Sequence, residues 1–492
     1  VTRGYLWIIG VLRVLGRIFF REIVITGEDN VPPQGGGVLV AWHPNGLLDP
    51  FLILTSCPGQ VVFGARHGLF KWPLLGAMMR ALGTVPIYRR KDARDGASDE
   101  ERRAANRKSV GALADAVAGG SFAALFPEGV SHDQPYVMEL KTGAASLYVH
   151  ALDRLTAGAP EPIIVPVGLH YADKHLLGSR VLVSFHPPLA IPEECRAGLG
   201  ECSTAERRAG YRKLTAEIEA ALVQVVRPTE SWVLNRLMQR ARKLIRAERG
   251  FRAGVRLGRP GMEERVMGFT RLWVGYHQRL ASHPERTRQL IERVAEYDET
   301  LRALGVEDHE IDPEARLGSR WLILKLVAQV LLVYLLLPPI ILLGLVVNLP
   351  VALAIAGLAK ATAKKAKDEA SVKLLAGMVA FPVAWMAAGA LVAWGVVRFS
   401  TGMAWADEEP LWAGILTVFF SAAGGAFALH YGRLVRETAR ALRVRFTKWR
   451  RSDLITDLRS ERAVIFDALM AMAEGLDLPG EVSAEGRVSV QS

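Results

Sequence analysis

Nothing constrains this chain more than three stretches without a single charged residue, 326–359, 374–397 and 410–432. A helix needs about 20 apolar residues to cross the hydrocarbon of a bilayer, so the second and third each read as one span. The first is 34 residues long and is interrupted by Pro338-Pro339 and by Asn348-Leu349-Pro350. It is too long for one ordinary span and reads as a hairpin, either two short spans or a re-entrant loop. A buried helix of a soluble protein could explain any one stretch, but three in succession argue for a membrane region over 321–432.

The flanks orient that region, because Lys and Arg next to a span stay on the cytoplasmic side. Residues 360–373 carry Lys360, Lys364, Lys365, Lys367 and Lys373 against Asp368 and Glu369. Residues 433–451 carry eight Lys or Arg against Glu437, whereas 398–409 holds Arg398 against Asp407, Glu408 and Glu409. The two basic flanks are expected to be cytoplasmic and the acidic loop outside. With a hairpin first, everything before residue 321 is cytoplasmic too, in a multi-pass integral membrane protein. The three cysteines, Cys57, Cys195 and Cys202, make no disulfide framework and no Cys-x-x-Cys pair, which agrees with a reducing compartment.

Residues 1–21 combine the apolar run Tyr5–Leu12 with Arg13, Arg17 and Arg21 at four-residue spacing. An arginine stripe on an otherwise apolar helix suits the headgroup plane of a membrane; a signal peptide is the competing reading, though Arg13 cuts its apolar core short. Residues 22–226 read as an α/β domain. β-rich runs at Ile23–Thr26, Val38–Ala41, Val61–Phe63, Thr84–Tyr88, Phe122–Phe126, Ile163–Val167 and Val181–Phe185 are separated in several places by helical patterns at 71–82, 105–118, 139–154 and 205–226. That alternation predicts a mostly parallel sheet covered by helices. Residues 227–320 form a basic helical region, and 433–492 a basic then polar helical tail.

The net charge is +11. Residues 227–259 hold ten Lys or Arg against Glu230 and Glu248, so this segment and 433–451 together exceed the whole excess. Nucleic acid is one standard partner of a basic chain, yet no recognition motif or aromatic-studded basic stretch appears. Anionic membrane lipid is the expected partner, with a solvated helix face as the alternative for 227–259.

Four runs could carry chemistry. In Val38-Leu-Val-Ala-Trp-His43-Pro-Asn-Gly-Leu-Leu-Asp49-Pro50 a strand delivers His43 into a turn. Asp49-Pro50 then reads as a helix start with Asp49 as the N-cap. His43 and Asp49 could form a dyad in which the carboxylate holds one imidazole nitrogen and the other acts as a general base; a cap and a turn are the plainer reading. Gly83-Thr-Val-Pro-Ile-Tyr-Arg89-Arg90 ends a strand in two arginines, which suit a phosphate or a solvated strand end. Phe126-Pro-Glu128-Gly129-Val-Ser131-His132-Asp133 follows another strand, at the edge where open α/β sheets bind ligands. Glu128, Ser131 and His132 can each bond a hydroxyl or phosphate, Gly129 allows close backbone approach, and Lys141 is a cation nearby. Ile163-Ile-Val-Pro166-Val is a buried strand.

Taken together, HPNGLLDP, GTVPIYRR, FPEGVSH and IIVPV resemble, in order, the four blocks of the glycerol-phosphate acyltransferase family, the enzymes that acylate glycerol 3-phosphate and lysophosphatidate. The resemblance covers about residues 22–190. Two departures, five rather than four residues between His43 and Asp49 and Val-Ser-His in place of Thr-Arg after FPEG, look like the fungal-type glycerol-3-phosphate and dihydroxyacetone-phosphate acyltransferase branch. The resemblance implies that His43 is the general base, that Asp49 fixes its tautomer, and that an acyl thioester (coenzyme A or carrier protein) is attacked directly by the acceptor hydroxyl. It implies no cofactor, metal or covalent acyl-enzyme. Arg89, with Arg90 and Lys141, would hold the acceptor's phosphate. Glu128 and Gly129, with Ser131, His132 and Asn45, would line its pocket, and the backbone at Gly46 would meet the oxyanion. The expected acceptor is glycerol 3-phosphate or dihydroxyacetone phosphate, with lysophosphatidate as the alternative. A membrane-tethered, inactive lipid-binding scaffold is the reading from another class, and the intact His43, Asp49 and Glu128 argue against it.

Overall fold

A computed structural model describes residues 3–88, 99–174, 176, 178–196, 204–313, 320–362, 366–399 and 410–489. The chain forms two compact units. One comprises Val1–Asn235 with Pro260–Val266, the other Arg236–Arg259 with Met267–Ser492.

The first unit is built on seven strands: β1 (Phe20–Thr26), β2 (Gly37–Ala41), β3 (Val61–Arg66), β4 (Val85–Ile87), β5 (Phe122–Leu125), β6 (Ile163–Tyr171) and β7 (Ser179–Phe185). They lie in the order β1-β7-β6-β2-β5-β3-β4, and every pair is parallel except β6–β7. All seven β-rich runs of the sequence are strands, and the sheet is mostly parallel as expected. β2 is buried along its whole length, as a central parallel strand must be when both faces are covered. The covering helices are α1 (Arg3–Phe19), α2 (Leu48–Ser56), α3 (Pro73–Ala81), α4 (Asp99–Ala118), α5 (Gly143–Leu152), the short α6 (Glu193–Arg196) and α7 (Thr204–Val226). One apolar core joins Val38 and Val40 of β2 to Leu113 and Val117 of α4, Leu147 and Tyr148 of α5, and Leu214, Ile218 and Leu222 of α7.

α1 buries Tyr5, Ile9, Leu12 and Phe19 and leaves Leu6, Trp7, Val14 and Ile18 more than half exposed. Arg13 is exposed, and its Nε donates to the Thr55 carbonyl at 3.0 Å.

The second unit contains α8 (Trp232–Arg252, from residue 236 on), α9 (Met262–Ser282, from residue 267 on), α10 (Pro284–Leu304), α11 (Arg320–Leu331), a π turn at Leu332–Leu336, α12 (Leu337–Thr362), α13 (Ala366–Phe399), α14 (Pro410–Arg450), α15 (Ser452–Ala473) and a small hairpin of β8 (Glu481–Val482) and β9 (Val488–Ser489). Its core joins Leu237 and Leu244 of α8, Tyr297 and Leu301 of α10, Val444 of α14, and Ile455 and Ile465 of α15.

Several cations of the basic segments have acidic partners in this unit. Arg240 is buried and bonds Asp298 and Asp308 at 2.7 and 2.6 Å. Lys243 reaches Glu307 at 2.9 Å, Arg252 reaches Glu248 and Asp467 at 2.8 Å, and Arg259 reaches Glu437 at 3.1 Å. Arg440, in the other basic segment, pairs with Glu310 at 2.9 Å. Several of the cations of 227–259 are thus paired with acids distant in sequence, while Lys243, Arg252 and Arg259 keep 41%, 43% and 69% of their side chains exposed.

The membrane-like helices lie in this unit too. Among the described residues, three helices are long and apolar enough to cross a bilayer, at Gly344–Ala361, Leu375–Arg398 and Pro410–Arg450. Residues 326–359, expected as a hairpin with a break, are helical throughout. Gln329 Nε2 donates to Thr438 Oγ1 and Tyr431 Oη to the Val333 carbonyl, both at 2.9 Å, so the segment starts beside the C-terminal half of α14. α13 runs antiparallel to α14 at their contact, since Gly389 abuts Gly414 and Val418 while Ala393 abuts Gly414. α13 contains Pro382 and α12 contains Pro350, and a proline removes a backbone hydrogen bond from the helix that holds it. Two residues before Pro350, Asn348 donates through Nδ2 to the carbonyls of Gly344 (2.8 Å) and Ser421 (2.7 Å) and accepts from Trp385 Nε1 at 2.9 Å. A buried amide with these partners ties α12 to α13 and α14.

Candidate active site

The parallel register of β5, β2 and β6 brings the C-terminal ends of three strands to one edge of the sheet, where such folds hold their ligands. β2 delivers His43, β5 delivers Phe126 and Glu128, and β6 ends on Tyr171.

His43 Nδ1 lies 2.8 Å from Asp49 Oδ2, with the imidazole 15% exposed and the carboxylate fully buried. Asp49 does not cap α2 as the sequence suggested. The helix starts two residues earlier than expected, with Leu47 at the cap position and no side-chain cap bond. The carboxylate turns back instead to accept the Asn45 backbone N–H on Oδ2 at 2.7 Å and the Tyr171 hydroxyl on Oδ1 at 2.5 Å. An acceptor on Nδ1 places that nitrogen's proton between His43 and Asp49, which leaves Nε2 as the basic nitrogen. The His43 ring stacks on Phe126, centroids 4.1 Å apart and planes within 12°.

Glu128 is 3% exposed and brackets the loops. Its Oε2 accepts the His43 backbone N–H at 3.1 Å, and its Oε1 accepts the Met138 N–H at 2.9 Å and pairs with His132 Nε2 at 2.7 Å. His132 is buried, and its N–H donates to the His43 carbonyl at 3.0 Å. Glu128 and His132, expected to line the acceptor pocket, are thus bonded to the protein's own groups. Gly129 adopts φ +70° with the Lys141 side chain against it, so that a Cβ there would meet Lys141 Nζ at 2.5 Å. Gly46 adopts φ +49°, as a turn between β2 and α2 requires. Asn45 is wholly buried; its Nδ2 donates to the Lys174 carbonyl at 2.9 Å. Ser131 lies in the same loop as Glu128 and His132. Arg89 and Arg90 lie outside the described residues.

The residue that sequence reasoning missed is Tyr171. Burial and the Asp49 carboxylate push its phenol well above the ordinary tyrosine pKa, so it remains a donor. The available signal was its place at the end of the fourth block's strand, next to β2.

A protein-family model described as "Acyltransferase" matches residues 22–170. The lyso-ornithine lipid O-acyltransferase of Rhodobacter capsulatus is 30% identical over 206 residues, which cover 36% of this chain and 67% of that protein. The chain belongs to the glycerol-phosphate acyltransferase family. A second model, "Glycerol-3-phosphate acyltransferase 2 C-terminal domain", matches residues 262–477, where the sequence offered no motif. An uncharacterised acyltransferase of Schizosaccharomyces pombe is 24% identical over 400 residues, 65% of this chain and 56% of that protein. Glycerol-3-phosphate O-acyltransferase 2 of Saccharomyces cerevisiae is 28% identical over 188 residues, 38% of this chain and 23% of that protein. The chain thus spans about half of one fungal relative and under a quarter of the other.

Proposed function

We propose that the chain is a membrane-bound O-acyltransferase that moves a fatty acyl group from a thioester to a hydroxyl of glycerol 3-phosphate or dihydroxyacetone phosphate, in phospholipid synthesis. The carrying observation is His43 Nδ1 on a buried Asp49 that also accepts two other donors. His43 Nε2 takes the proton of the acceptor hydroxyl as its oxygen attacks the thioester carbonyl. The tetrahedral intermediate then collapses, and the thiolate leaves with that proton. Both substrates react while bound together, so positioning supplies much of the rate. Asp49 stabilises the imidazolium formed in between. Arg89 and Arg90 are the proposed phosphate ligands, with Lys141 beside Gly129 as a further cation. Glu128 acts indirectly, by holding the His43 backbone and the 132–138 loop.

The glycerol 3-phosphate assignment draws on the C-terminal family match and the yeast relative. The lyso-lipid named in the Rhodobacter relative keeps lysophosphatidate as the second acceptor. Two spans and a re-entrant segment give an even number of crossings. That agrees with the common core of α8, α10, α14 and α15, which needs residues 236–311 and 444–472 on one side, the cytoplasmic side by the flanking charge. Initial rates of purified protein across glycerol 3-phosphate, dihydroxyacetone phosphate and lysophosphatidate, each with acyl-coenzyme A and acyl-carrier protein, test the reading. Highest kcat/KM on lysophosphatidate would move the enzyme one step later, and no transfer to any acceptor would overturn the proposal.

A further inference from the structure

The hydroxyl of Tyr171 lies 2.5 Å from Asp49 Oδ1, on the oxygen that His43 does not use. We infer that Tyr171 is a positioning residue which, through Asp49, sets how readily His43 takes up a proton. This deepens the reading of the same site as an acyltransferase and rests on it.

Asp49 is fully buried, and a buried carboxylate is held charged only by the donors around it. Among the described residues, His43 Nδ1 and the Asn45 N–H converge on Oδ2, and Tyr171 donates to Oδ1. Its hydroxyl does two things. It fixes the carboxylate's rotation, so that Oδ2 stays in line with His43. It also draws negative charge toward Oδ1, which weakens the pull of Oδ2 on the imidazolium. The side chain is itself fixed: it ends β6, paired in the sheet with Val181 of β7, and its ring lies 6.3 Å from that of Phe20.

The other ionisable groups around the dyad leave this assignment intact. Glu128 reaches the His43 backbone and is matched by His132. Lys174, whose carbonyl Asn45 bonds, has its ammonium paired with Asp133, and Lys141 stands across Gly129. None of these contacts includes the Tyr171 hydroxyl.

The sign follows. Without the Tyr171 donor, Oδ2 becomes a stronger acceptor, the imidazolium is better stabilised, and His43 titrates at higher pH. A more acidic phenol in the same place donates more strongly and moves the midpoint the other way.

The test uses the full chain in detergent with 15N-labelled histidine, the His43 signal being assigned by its loss in His43→Ala. Tyr171→Phe should raise the His43 titration midpoint by about half a unit or more, an effect of the size expected for one hydrogen bond to a buried charge. Replacement of Tyr171 by 3-fluorotyrosine should lower it. In acyl transfer, the acid limb of kcat/KM should move in the same two directions, with kcat for Tyr171→Phe down about tenfold and the thioester KM within about twofold of wild type. Should Tyr171→Phe fail to fold, the fluorotyrosine protein alone decides the sign. A midpoint unchanged in both variants, or moved in the same direction by both, would overturn the inference. Because the titration is read without substrate, its failure is separable from failure of the acyltransferase reading, which shows as absent transfer by the wild type.

Discussion

The two units use buried charge in opposite ways. In the first, the decisive pair lies within one turn of chain: His43 and Asp49 are six residues apart, and the strand-to-helix turn between them closes their contact. In the second, Arg462 is fully buried with Glu248 at 2.8 Å, Asp312 at 2.5 Å and the Asp308 carbonyl at 2.7 Å, partners about 150 and 214 positions away. Burial works against the charge on Arg462, and the bond and ion pair with Asp312 outweigh it, so its pKa is raised. One arrangement leaves a basic nitrogen for chemistry. The other uses every charge to fasten α8, α15 and the segment after α10 together.

The largest effect separates chemistry from fold. His43→Ala should cost about 10³- to 10⁴-fold in kcat, the scale of a lost general base, while the melting temperature of the purified chain stays within a few degrees of wild type. A rate within tenfold of wild type would remove His43 from the mechanism. Arg462→Met is the converse. It leaves Asp312 without its guanidinium and Glu248 with Arg252 alone, and breaking a buried pair costs about 3–5 kcal/mol. Hydrogen exchange should quicken across α8 and α15 while β2, β5 and β6 keep their protection. Equal loosening of both units would show that the network serves the whole chain.

What could be read from sequence follows the same division. The seven strands, the parallel sheet and the His43–Asp49 contact are local signals: short β-rich runs, punctuation by Gly and Pro, a dyad in one loop. Glu128 stood out in its motif, but its partners His43, His132 and Met138 did not, because they meet it only after β2 and β5 pair. Tyr171 escaped for that reason too. The ion pairs of the basic segment 227–259 were not legible, because charge counted along the chain ignores acids that fold back onto it; Asp298, Glu307, Asp308 and Asp467 are invisible to a local sum. In the membrane region, Asn348 and Pro350 read as an interruption of the apolar run, yet the backbone is helical on both sides of them, because a proline inside a helix costs it one hydrogen bond without ending it.

The smallest effect sharpens the comparison through pH. Among the histidines of the first unit that the chemistry does not use are His170 and His186. Burial, with Arg227 and His186 nearby, lowers His170 from 6.5 to about 3, and burial and Arg227 lower His186 to about 4. Both are therefore neutral in the folded protein at pH 7, and each takes up its proton more readily when unfolded. Between pH 6.5 and about 4 the unfolded state binds more protons, so stability falls as pH falls through that window. Above 6.5 the two states bind alike and these groups contribute no slope. His186→Gln keeps a polar group near Ser184 Oγ, 3.1 Å from the native Nε2, and removes one titration. Its melting temperature should therefore drop less than wild type's between pH 7 and 5, with the protection of β6 and β7 following the same order. Matching slopes in the two proteins would show that another group in the first unit carries the acid sensitivity. A slope that instead tracks α8 and α15 would place it in the ion-pair network, where carboxylates such as Glu307, held below their usual range by Lys243 against the opposing effect of burial, also lose stability as they protonate.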